Sequence, residues 1–73
     1  MGTQQQTVMT NMTTEELEAV RDVATDDIAV LNAHIADLHA AKQTRNVRAA
    51  LLLREGQLAQ AYLIQQQAIT LLS

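Results

Sequence analysis

Lys42-Gln43-Thr44-Arg45-Asn46-Val47-Arg48-Ala49-Ala50-Leu51-Leu52-Leu53-Arg54 is the stretch that decides the fold. It separates an acidic amphipathic segment from a leucine-rich one and holds four of the chain's five basic residues. No Pro or Gly lies between residues 13 and 55, so nothing covalent forces a helix to stop here. Two features still place a turn at 42–46. Thr44 and Asn46 are both good helix N-caps. The apolar phase of the upstream segment also fails to continue, because its extension picks out Arg45, Ala49, Leu52, Gly56 and Ala59. A single rod through residue 72 is the alternative.

Upstream, Thr13 followed by Glu16 fits a capping box, with Met12 and Leu17 at the flanking staple positions. Glu15, Glu16 and Glu18 suit the positive end of a helix dipole. From there Leu17, Ala24, Ile28, Leu31, Ile35 and Leu38 advance by threes and fours, with Arg21 and Lys42 bracketing the same seam. Val23 and Val30 form a second, weaker line. These signals predict a helix over about 14–41, preceded by a polar, flexible tail at 1–12.

Downstream, a helix is expected over about 45–72, so that 13–73 form one helical-hairpin domain. Val47, Leu51, Leu58, Tyr62, Ile69 and Leu72 form one apolar line, and Leu53, Ile64 and Leu71 form another on nearly the opposite side. A helix apolar on two sides is buried on two sides. Gly56 costs about 1 kcal/mol in a helix interior relative to Ala. Its expected role is close helix–helix approach, with a kink or break that makes 57–72 a third helix as the alternative.

Length and composition point the same way. Seventy-three residues without Cys, Phe or Trp leave neither disulfides nor large aromatic burial to support a small core. The expected fold is therefore all-α, an antiparallel two-helix hairpin assembled into a homo-oligomeric helical bundle. The chain lacks a signal-peptide pattern and any apolar run near the ~20 residues that span a bilayer. A cytoplasmic protein with no membrane association is expected.

Charge is unevenly spread. Residues 15–37 hold one cation against seven acids, −6, while 42–54 hold four cations and no acid, +4. Ion pairing between helices is the plain explanation. The acidic segment argues against duplex nucleic acid. His34 and His39, five apart, cannot chelate one metal from a helix, and Asp22, Asp26 and Asp27 have no loop to aim them. No nucleophile–base arrangement is recognisable. The expectation is a non-enzyme without cofactor or metal.

Arg45 and Arg48 share a face at a helix start, whose free amides and dipole suit phosphate or carboxylate. Arg54 borders the apolar line and needs a partner, either a carboxylate or a phosphate. Tyr62 fits the core with a hydrogen-bonded hydroxyl, or a base-stacking role. Gln57, Gln60, Gln65, Gln66 and Gln67 can bridge chains or face solvent. Lys42, Arg45, Arg48, Arg54 and Tyr62 are thus the candidate ligand-binding residues.

Thr13-Thr14-Glu15-Glu16-Leu17, the arginines entering the second helix, Leu58-Ala59-Gln60-Ala61-Tyr62-Leu63 and Ala68-Ile69 together resemble a family of phage counter-defence proteins. These are the helical-hairpin sponges of anti-CBASS and anti-Thoeris type. The resemblance covers about residues 13–72. The family's tyrosine just ahead of the first helix and its lysine within that region are missing here. The resemblance implies a hexamer-like assembly that sequesters cyclic nucleotide signals in a host cytoplasm without cleaving them, with Arg45, Arg48 and Arg54 as phosphate contacts. The other functional class is a protein-interaction module, such as an inhibitor, adaptor or virion assembly piece, acting through its coiled-coil-like faces.

Overall fold

The computed structural model describes Met9 and residues 11–73. The tail expected over 1–12 lies mostly outside the described residues. Within it, Met9 is buried, and its carbonyl accepts from the Met12 N–H at 3.1 Å.

Among the described residues two helices make the fold, α1 (Thr14–Ala40) and α2 (Arg45–Leu72), packed against each other as a hairpin. The capping box that starts α1 is complete. The Thr13 hydroxyl accepts from the Glu16 N–H at 3.2 Å, and Glu16 Oε1 accepts from the Thr13 N–H at 3.0 Å. The Thr13 amide, and then its side chain, hold the Glu16 carboxyl below its ordinary value. Met12 is half-buried and Leu17 buried, as the staple positions require.

The chain turns at 41–44, so the single-rod alternative is excluded. Ala41 is extended (φ −76°, ψ 160°) and ends α1. Thr44, the first of the two candidate caps, accepts from the Val47 N–H at 3.2 Å and starts α2. Gln43 contributes a cap the sequence reading missed. Its amide donates to the carbonyls of Leu38 at 3.0 Å, His39 at 3.4 Å and Ala41 at 3.0 Å. Three carbonyls at a helix end, where intrahelical donors run out, thus share one side chain. The helix ends here without glycine or proline, its last carbonyls taken up by the Gln43 amide and the Ala41 N–H.

The α1 seam lies as its spacing indicates. Leu17, Ala24 and Ile28 are buried, and Leu31, Ile35 and Leu38 half-buried. In α2 the seam differs from the expected main line. It runs Val47, Leu51, Arg54, Leu58, Ala61, Gln65, Ala68, Leu72, all buried or half-buried, with Ala68 at 0% exposure. Tyr62, at 45%, and Ile69 fall outside it, which corrects their reading as core residues. Tyr62 and Ile69 are each one position, about 100°, further round the helix than Ala61 and Ala68. Alanines at the centre allow the backbones to approach closely, leaving larger side chains no room there.

Gln65 occupies the seam by finding a partner. Its amide donates to the Thr25 hydroxyl at 3.0 Å, and that hydroxyl donates to the Arg21 carbonyl at 2.8 Å. A polar side chain at a helix–helix contact is thereby satisfied. The glutamine bridges two helices of one chain.

α2 runs unbroken through Gly56, so the third-helix alternative is also excluded. A Cβ built on Gly56 meets no atom within 4 Å. The expected close approach therefore does not occur between α1 and α2. Among the described residues, no helix is long and apolar enough to cross a membrane.

Candidate functional site: the basic turn and an apolar groove

Lys42 lies in the link, and Arg45 and Arg48 in the first turn of α2, all three exposed. No acid shares that turn. The plain reading of the charge asymmetry, ion pairing between the two helices, does not hold within the chain. Among the described residues the one ion pair is Arg21 Nε to Asp22 Oδ1 at 3.1 Å, between neighbours on α1. Exposed pairs of this kind contribute about 0–1 kcal/mol. Six of the eight acids, Glu15 to Asp27, sit towards the other end of the hairpin, and Asp37 and Glu55, nearer the turn, pair with no arginine among the described residues.

Arg54 is half-buried, as expected, but its partner is neither a carboxylate nor an anion. Its guanidinium donates to Gln57 Oε1 at 2.9 Å, one turn along the same helix. A neutral acceptor three residues away satisfies one of its five donors. The Tyr62 hydroxyl takes part in no hydrogen bond among the described residues, which removes the expected buried hydroxyl partner.

The structure brings Lys42, Arg45 and Arg48 together and leaves Arg54 and Tyr62 apart from them. With a rise of 1.5 Å per residue, Arg45 and Tyr62 are about 25 Å apart along α2. One small ligand cannot reach all five nominated residues within a single chain. His34, His39, Asp22, Asp26 and Asp27 are exposed, and among the described residues no three metal-binding side chains cluster.

A concave feature lies elsewhere among the described residues. Val20, Val23, Ala24 and Asp27 of α1 and Ala61 and Ile64 of α2 line an open groove of about 290 Å³. Its lining is apolar except for Asp27. Val23 of the secondary apolar line on α1 and Ile64 of the one on α2 meet here. Each line alone looked minor. Their meeting follows from the antiparallel pairing, in which Thr25 bonds to Gln65 and Val23 lies near Ile64.

Among the described residues eight large apolar side chains are exposed: Val23, Val30, Leu52, Leu53, Tyr62, Leu63, Ile69 and Leu71. Leu52 is the extreme, at 74%. Of the eight, Val23 lines the groove and Leu52, Leu53, Tyr62, Leu63, Ile69 and Leu71 lie along α2. Compared with family models, with curated proteins and with solved structures, the chain matches none.

Proposed function

We propose that this chain is a non-catalytic protein-interaction module that works as a homo-oligomer, its hairpins assembling into a larger helical bundle. The exposed apolar surface carries this reading. Among the described residues the buried core consists of Met9, Leu17, Ala24, Ile28, Leu51, Ala61 and Ala68, three of them alanines, while eight larger side chains stay in water. Full burial of a Leu, Ile or Val side chain is worth roughly 1.5–3 kcal/mol. Association would therefore stabilise the fold by an amount comparable with a small domain's whole stability. The groove's chemistry agrees, since an apolar recess suits the apolar stripe of another helix.

The test is light-scattering mass at micromolar protein for the wild type and for Val23→Glu with Ile64→Glu. The wild type should exceed its single-chain mass of 8.0 kDa, and the groove variant should lose mass while circular dichroism stays helical. Unchanged mass in the variant would remove the groove from the assembly.

A second reading is carried by Lys42, Arg45 and Arg48, cations without a carboxylate partner beside a helix start. They can hold a small anionic ligand, and the sponge resemblance makes cyclic nucleotides the class to test. In an oligomer, the turn of one chain could meet Arg54 or Tyr62 of another, which one chain alone does not achieve. Calorimetry with cyclic di- and trinucleotides should show binding that Arg45→Ala with Arg48→Ala abolishes. Absence of heat at micromolar protein removes this reading and leaves the first intact.

A further inference from the structure

The outward side of α2 carries an apolar line of its own. At about 100° per residue, Leu52, Gly56, Ala59 and Leu63 fall together, on the side away from Leu51, Ala61 and Ala68. All four are exposed. No atom lies within 4 Å of a Cβ on Gly56, so nothing inside the chain requires a glycine that weakens the helix interior. The spacing along this line is four, three, four, the same from either end. Such a face can meet itself running in the opposite direction, Leu52 beside the second copy's Leu63 and Gly56 beside its Ala59. That is the self-complementarity of a two-fold interface.

Charge selects the direction. The first turn of α2 holds Arg45 with no acid, Arg48 follows directly, and the last turn holds no base. Both arginines therefore face the positive end of their own helix dipole. An antiparallel copy brings them level with the second copy's residues 67–70, at the negative end of its α2. A parallel copy would set Arg45 beside Arg45, Arg48 beside Arg48 and Glu55 beside Glu55. The whole hairpin shows the same polarity. Residues 29–59, nearest the turn, hold four cations against Asp37 and Glu55, net +2, and the remainder holds Arg21 against six acids, net −5, which together give the chain's −3. With screening lengths of about 8 Å and a hairpin 45 Å long, each end responds only to the end placed beside it.

We propose that two copies of this chain dock through α2, antiparallel, with Gly56 and Ala59 at the closest approach and Arg45 and Arg48 beside the second copy's carboxy-terminal turn. The proposal rests on the assembly reading above and adds to it a second contact face, distinct from the groove, and its direction.

Sedimentation equilibrium on the full chain tests it, with Gly56→Leu and the double variant Arg45→Glu, Arg48→Glu. Both variants favour helix formation in an isolated hairpin, one by propensity and one by the dipole, so a folding defect cannot imitate their effect. Gly56→Leu should weaken association about 100-fold and the double variant about tenfold, with helicity kept or raised. Wild-type association should weaken as salt rises, because the facing charges attract. Association that tightens with salt would overturn the antiparallel direction. Wild-type behaviour in both variants would overturn the face and leave the assembly reading standing. A single-chain mass for the wild type at every concentration would overturn both.

Discussion

The two sides of α2 carry lines of similar step and opposite surroundings. Towards α1, Leu51, Leu58, Ala61, Gln65 and Ala68 are buried or half-buried. Outward, Leu52, Gly56, Ala59 and Leu63 are all exposed. The inner line is completed by a hydrogen bond, Gln65 to Thr25, and by alanines that let the helices close up. The outer line has two leucines and a glycine with nothing beside it. A two-helix hairpin has one contact face per helix, so a helix apolar on several sides exceeds what its own chain can cover. The difference teaches that periodicity identifies apolar lines, while the number of partners decides which of them are filled.

The largest expected effect contrasts neighbours on the two lines. Leu51→Ala removes a buried side chain and should cost about 2–5 kcal/mol in chemical denaturation. Leu52→Ala, in protein diluted until dissociated, should stay within about 0.5 kcal/mol. Equal losses would mean that the two sides are not distinct. Next, Ala68→Leu overfills the inner line at its most enclosed position and should cost about 1–3 kcal/mol, whereas Ala59→Leu on the outer line should leave the dissociated hairpin undisturbed. Thr44→Ala removes the cap that starts α2 and serves both lines equally, at about 1 kcal/mol. Its loss should be the same in dilute and concentrated protein.

The smallest effect concerns Glu16, which belongs to neither line. Its folded pKa is depressed from an ordinary value of 4.5, by the Thr13 amide first. Its contribution is therefore present above that ordinary value and lost as pH falls through the lower, folded one. Glu16→Gln keeps the capping geometry, since Gln also serves at this position. The variant should flatten that part of the acid limb in a pH titration of stability, and an unchanged limb would remove the capping carboxylate from the account.

Much of the hairpin is legible in the residues themselves. Thr13 and Glu16 mark where α1 begins, Thr44 marks α2, and the steps from Leu17 to Leu38 show which side of α1 packs. These signals are local, so the sequence carries them in full. The α2 seam was less legible, because size outweighed hydrophobicity there. Tyr62 and Ile69 are the more apolar choices, yet Ala61 and Ala68 hold the contact. Gln43 carries no helix-end signal of its own in the sequence. Its role depends on the chain reversing direction so that one amide reaches three carbonyls. The basic residues were plain as a group, but their partners were not. Arg54 takes Gln57 rather than a carboxylate, and among the described residues no acid pairs with Arg45 or Arg48.

The claim that the chain leaves apolar surface for copies of itself is tested most directly by the mass of the wild-type protein in solution. Sedimentation equilibrium over a hundredfold range in concentration should show at least twice the 8.0 kDa of one chain, falling towards that value on dilution. A mass of one chain throughout the range, with α1 and α2 still helical, would contradict it.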